Sequence, residues 1–232
     1  MTARNGLKAA KDLWVYEGRE VNAVSEKYLD ALTRYNDVIK QESERKKLKK
    51  VADEGEDLVS LDCFWRDGLV AAVRGRSDKF LTKEELTKVM KWKLARGKFR
   101  PLLKNLEMNS ESTIEQCTRA AFSRADSGDI DGALQELCEL KSVGPATASA
   151  VLAPFYPSEA PFMDDVPLML IQENPKYSVK EYQELRKELK RVAEELGRGL
   201  TAEDVGRALF VVALTSALEA SSEPQKKKQK KV

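Results

Sequence analysis

The chain has 232 residues, of which 42% are hydrophobic and 34% charged, a balance that fits one large or two small globular domains. It contains no histidine, which excludes Ser-His-Asp and Cys-His catalysis and leaves acid–base work to carboxylates, Lys, Tyr or Cys. The formal charge of +2 is set by the last twelve residues, SSEPQKKKQKKV. Without their five Lys and one Glu, 35 basic and 37 acidic residues remain, so nucleic-acid binding would need a local basic face.

The opening stretch MTARNGLKAAKDLW lacks the apolar centre of a secretory signal. No apolar run approaches the roughly 20 residues of a bilayer span, so no membrane association is expected. Residues 21–49 read as one long polar helix ending in the charge run ESERKKLKK, a solvated helix end. ADEGED (52–57) is an acidic loop. In LVSLDCFWRDGLVAAVRG, helical spacing puts Leu61, Phe64, Trp65, Leu69, Ala72 and Val73 on one face. Capping patterns in TKEE (82–85), STIE (112–115), SVKE (178–181) and, more weakly, TAED (201–204) mark helix starts. Helices are predicted near 83–96, 112–125, 130–140, 145–153, 179–197 and 202–219, with stops at Gly97, Gly128 and Gly197. Pro154, Pro157, Pro161, Pro167 and Pro175 make 154–177 an extended loop with short helical pieces.

Cys63, Cys117 and Cys138 are odd in number and widely spaced, which suits reduced thiols and matches no zinc or iron–sulfur pattern. No metal and no cofactor are expected. The fold class is all-α: a single helical unit over 1–220, in one or two lobes, then a disordered basic tail at 221–232.

Two neighbouring features carry the chemistry. In LKSVGPATASAVLA, Val143 and Gly144 make a turn, and Pro145 starts a thin helix of small residues. Such a helix start suits a backbone phosphate, and it equally suits a tight corner between packed helices. In PFMDDVPL, Asp164 and Asp165 stand in an apolar stretch, where either can cap a short helix or serve a site.

Together, LxxLKSVGPATASAVLA and PFMDD resemble the helix–hairpin–helix and Asp signature of the HhH-GPD superfamily of DNA glycosylases, with a hairpin at 134–153. MKWKLARGKFRPLL (90–103) adds a resemblance to the poorly characterised eukaryotic Amun-like proteins, predicted nuclear members of that superfamily. The family's essential Asp follows the last hairpin Gly by about twenty residues. Asp165 lies 21 positions after Gly144 and matches that place, with Asp164 as catalytic support. Two positions depart from the pattern. Ser142 stands for the first hairpin Gly, so the turn is expected to avoid glycine-dependent geometry. Ala146 stands where bifunctional members carry a Schiff-base lysine.

The resemblance implies a monofunctional, hydrolytic enzyme of base excision repair, or a catalytically inactive nuclear DNA-binding or adaptor protein of the same fold. Asp165 would stabilise oxocarbenium charge at the sugar. Ser142, Val143, Gly144 and Thr147 of the hairpin would hold duplex DNA. Lys91, Lys93, Arg96, Lys98 and Arg100 would add backbone contacts, or form an ordinary solvated face. A flipped base needs an aromatic or apolar pocket, for which Trp65, Trp92, Phe155, Tyr156 and Phe162 are candidates, each equally a core residue. KKKQKK resembles a nuclear-import signal, so an import receptor is an expected partner, the location is nuclear and the protein is expected to be a monomer.

Overall fold

In a computed structural model of the chain, the residues described are 2–14, 20–48, 56–97 and 100–222. Lys98, Phe99 and the basic tail from 223 onward, with the roles expected of them, lie outside the described residues. In chain order the helices are α1 (Thr2–Trp14), α2 (Val21–Thr33), α3 (Tyr35–Leu48), α4 (Leu58–Cys63), α5 (Leu69–Arg74), α6 (Lys83–Arg96) and α7 (Leu103–Leu106). They continue with α8 (Glu111–Asp126), α9 (Ile130–Cys138), α10 (Pro145–Leu152), α11 (Asp165–Ile171), α12 (Val179–Leu196) and α13 (Ala202–Ser222). No strand occurs among the described residues.

Local chemistry accounts for most boundaries. Thr82 with Glu85, and Ser178 with Glu181, form reciprocal capping boxes at the starts of α6 and α12. Thr201 and Asp204 exchange equivalent bonds before α13. Gly97 and Gly197 end α6 and α12, Gly197 with φ +64°. The cap of α8 is Ser110, which accepts from the Thr113 amide, so that helix starts before the predicted Ser112. The predicted helix over 21–49 is two helices. Arg34 donates back three residues to Ala31, and this single interrupted step lets Tyr35 open α3 facing the core.

Between α4 and α5 the chain makes a π-helical turn (Phe64–Gly68), closed by the Leu69 amide on the Phe64 carbonyl. Spacing by four advances about 40° too far per step around an ordinary helix. The wider turn absorbs that drift, so Leu61, Trp65, Leu69 and Val73 all point inward, while Phe64 and Ala72 are only partly buried.

The helices form two groups around one continuous core. In the first, α13 packs against α1, α2, α3, α11 and α12. In the second, α6 packs against α4, α8 and α10, and α9 joins α8 to α10. Contacts of α3 with α4 and of α10 with α12 join the groups. The heart of the core is Trp65 stacked on Trp92, with ring centroids 3.8 Å apart and planes 7° from parallel. No helix among the described residues is long and apolar enough to cross a membrane.

Candidate functional site

The α9–α10 hairpin is held from both sides. Leu134, Leu137 and Leu140 bury one face of α9 and its exit, and Ala148, Ala150 and Val151 do the same for α10. Small residues on α10 let it lie close enough for Trp65 Nε1 to donate to the Ala150 carbonyl at 2.7 Å. At the turn, the side-chain amide of buried Asn109 donates to the Lys141 carbonyl at 3.1 Å, and its carbonyl accepts from the Lys141 amide at 3.0 Å. Ser142 then takes φ +64°, the left-handed region, against the expectation that serine would keep the turn out of it. The turn must reverse the chain within a few residues, and with Lys141 clasped and Val143 bonded to Leu140, Ser142 carries the reversal.

The Val143 amide donates to the Leu140 carbonyl at 3.0 Å and the Thr147 amide to the Gly144 carbonyl at 2.8 Å. Both bonds lie within the hairpin, so the Val143 amide, one of the two expected to hold a phosphate, is occupied, while the other, that of Gly144, makes no hydrogen bond among the described residues. The Ala146 amide, at the second helical position, where no intrahelical acceptor exists, adds to it at the mouth of α10.

The two adjacent carboxylates have different surroundings. Asp164 is buried and caps α11, accepting from the Val166 amide at 3.1 Å. Its other oxygen accepts from Nε and Nη2 of Arg96 at 3.1 and 2.7 Å. Arg96 also donates to the Tyr35 hydroxyl at 2.8 Å, and Tyr35 donates to Asp62 at 2.7 Å. Asp62 further accepts from Trp92 Nε1 and from Arg66. The Arg96 guanidinium lies 3.7 Å from the Phe210 ring centroid. Burial opposes the charge on Arg96, but its neighbours Tyr35, Asp164 and Asp62, together with the hydrogen bonds to Asp164, outweigh it and keep the group protonated. Burial, and then the charge and hydrogen bond of Asp62, push the Tyr35 hydroxyl upward against Arg96 and Arg207, so it stays a donor.

Asp165 opens α11 and is half-buried, with one oxygen accepting from the Tyr177 hydroxyl at 2.8 Å. Burial and that bond raise the Tyr177 pKa, so its proton stays in place. Tyr177 itself takes φ +59°, a strained choice for a bulky residue. The segment before Asp164 is pinned to both helix groups. The Met163 amide donates to Ser149 Oγ of α10 at 2.9 Å, and the Phe162 amide to buried Glu203 of α13 at 2.7 Å.

These pieces surround one cleft of about 1020 Å³ between the two helix groups. Ser142 to Thr147 line one side and Phe162 to Val166 the floor. Tyr177 and Lys176 stand at the rim, with the exposed Arg100 also lining the cleft. Lys93 of α6 is half-buried in it; Gly6, Leu7 and Phe210 add apolar wall. Cys138 also lines it, but burial and Glu139 push its thiol up to about 11, which leaves it unreactive near neutral pH.

Of the expected backbone-binding cations, Lys93, Arg96 and Arg100 line the cleft. Arg96 does not serve as a surface contact: α6 turns it, with Trp92, onto the buried face, where Asp164 and Tyr35 occupy it. Lys91 is exposed, outside the cleft lining, and pairs with Glu56 at 3.6 Å. Of the expected base-pocket aromatics, only Phe162 lines the cleft. Trp65 and Trp92 fill the core. Phe155 and Tyr156 pack with Phe122 at another place, where Tyr156 donates to Asp126 at 2.7 Å. The aromatic surface of the cleft is Phe162, Tyr177 and Phe210. Tyr177, Asn109 and Ser149 carried no sequence signal of their own, because each acts through a partner distant in the chain. Among the described residues no group of three or more Cys, Asp or Glu is placed to hold a metal ion.

Comparisons with protein-family models, curated proteins and solved structures give no match to this chain.

Proposed function

We propose that this chain is a DNA-glycosylase-like protein of the HhH-GPD type, which binds duplex DNA at the α9–α10 hairpin and hydrolyses the N-glycosidic bond of a damaged or modified base. The observation that carries the reading is that the hairpin turn and Asp165, 21 residues apart in sequence, line the same open cleft. Lys93, Arg100 and Lys176 supply local positive charge there, which the near-neutral body as a whole does not. In this reading the phosphate of the extruded nucleotide meets the mouth of α10 and these cations. The Asp165 carboxylate, held by Tyr177, faces the sugar as positive charge develops at the anomeric carbon. Asp164 plays no direct part in the chemistry. It holds α11, and hence Asp165, against Arg96.

The test is base release from duplexes carrying a range of lesions, read beside urea unfolding. Asp165→Asn is expected to lower release by about 100-fold or more with stability nearly unchanged. Asp164→Ala is expected to lower unfolding free energy by about 3–5 kcal/mol, because it leaves Arg96 buried and uncompensated. Release that survives Asp165→Asn would exclude the mechanism. Duplex binding without release from any lesion would make the chain a catalytically silent DNA-binding or adaptor protein.

A further inference from the structure

We propose that the base taken by this cleft carries an aliphatic chain of several carbons on its exocyclic amine, and that α1, α11 and α13 form the wall that receives the chain. The inference rests on the reading above and names its substrate class.

The cleft has two unlike sides. The polar side holds Asp165, Tyr177, Lys93 and Arg100. The other side is aliphatic. Leu7 of α1, Val166 and Met169 of α11, and Leu214, Ala217 and Leu218 of α13 line it, each half-buried. These three helices pack on one another, so their side chains form one wall. Among the described residues, no charged or hydrogen-bonding side chain lines the cleft from α1, from α13, or from α11 beyond Asp165. A base edge pressed against this wall loses its hydrogen bonds to water and gains none in exchange. A hydrocarbon chain loses nothing there and removes apolar surface from water.

Size and position agree with chemistry. At about 1020 Å³ the cleft matches the roughly 300–1,000 Å³ of pockets that enclose drug-sized molecules. An extruded base alone leaves water against the aliphatic wall, and a chain attached to that base displaces it. Val166 follows Asp165 directly, and Met169 comes one turn later, a rise of about 6 Å along α11. With the sugar at Asp165, the exocyclic amine of adenine or cytosine, on the edge far from the glycosidic bond, comes to this wall. The chain acts by binding alone. The hydrolysis remains that of the reading above: a water oxygen bonds to C1′, the C1′–N electron pair leaves with the base, and a water proton completes the base nitrogen.

The experiment uses the full chain and duplexes that differ at one base: adenine with methyl or hexyl on N6, and cytosine with methyl or hexyl on N4. Binding is measured with Asp165→Asn, which holds the base without turnover, and release with the wild-type protein. In an apolar pocket a single methylene changes discrimination about tenfold. The hexyl duplexes are therefore expected to bind about tenfold or more tightly than the methyl duplexes, and the hexyl base to be released with a kcat/KM higher by about the same factor. Leu218→Asp puts a charge on the wall and Ala217→Phe fills it. Each, in the Asp165→Asn background, is expected to weaken binding of the hexyl duplexes about tenfold or more, with folding of both variants checked by urea melts. Val21→Asp, an exposed position outside the cleft lining, is expected to leave that binding unchanged. Equal affinity for methyl and hexyl duplexes, or a hexyl preference that survives both wall variants, would overturn the inference and leave base release from other lesions to judge the glycosylase reading. A hexyl preference abolished by the wall variants, with no release by the wild-type protein, would support the wall and overturn the hydrolytic reading. Failure to bind any of the duplexes would overturn both.

Discussion

Ser142 bends the hairpin at a cost that a glycine would not incur. At φ +64° its Cβ crowds the following carbonyl, a penalty of about 1–2 kcal/mol, partly offset by the smaller entropy that serine loses on folding. Ser142→Gly is therefore expected to raise unfolding free energy by about 0.5–1 kcal/mol, read as a higher urea midpoint at unchanged slope. A lower midpoint would mean that the serine side chain holds the turn, and the strain argument would fail. At this scale the sequence was partly legible. Only the resemblance singled out Asp165 over Asp164, through its distance of 21 positions from Gly144. The helix cap expected of Asp164 was legible because Asp before a short helix is a common cap. Its ion pair was not, because Arg96 lies 68 positions away and nothing local distinguishes it from Lys93 or Arg100. The strain at Tyr177 was equally hidden, since NPKYS reads as any proline-containing loop.

Elements were the most legible scale, because capping and periodicity are local. The predicted 83–96 and 179–197 fall within one residue of α6 and α12, whose boxes and terminal glycines are close in sequence. The π-helical turn was not foreseen, since its signal is only a spacing of four sustained from Leu61 to Val73. Nor was α1 predicted as a helix. Its Gly6 weakens intrinsic helicity by about 1 kcal/mol relative to Ala, so a reading based on propensity takes it as a breaker. In the fold it is the point of closest approach between α1 and α13, where an added Cβ would meet the Ala213 carbonyl oxygen at 2.4 Å. The two arguments give opposite signs for Gly6→Ala. Contact with rigid backbone outweighs propensity, so the substitution is expected to cost about 1–3 kcal/mol and to free α1 from α13. Faster amide exchange across residues 7–14 would report that release. A stabilised variant with unchanged exchange would show that the helices can shift apart at no cost.

At the scale of the whole molecule, the cleft exists because two helix groups share a core but leave a gap where α6, the hairpin, α11 and α13 meet. No local pattern encodes such a gap, which is why only Phe162 of the five aromatics expected in the pocket lines it, and Tyr177 and Phe210 stand where Trp65, Trp92, Phe155 and Tyr156 were expected. Glu203 is one of the groups that fix its width. It joins α13 to the loop through the Phe162 amide, while the amide of Glu203 donates to the Pro157 carbonyl at 2.9 Å. Burial raises the pKa of its carboxyl above the ordinary 4.5, against the opposing pull of Arg207 and the Phe162 amide. A carboxyl raised in the folded state binds its proton more tightly there than in the unfolded chain. Its contribution is thus most favourable below about pH 4.5, falls as pH rises toward the folded pKa, and is flat and unfavourable beyond it. Glu203→Gln keeps an acceptor for the Phe162 amide and removes the ionisation. The stability of this variant relative to the parent is therefore expected to rise between pH 4.5 and pH 8, in urea melts at matched ionic strength. If the variant instead loses ground to the parent as pH rises, the ion pair with Arg207 outweighs desolvation, and the junction between loop and α13 is held by charge rather than by a neutral hydrogen bond.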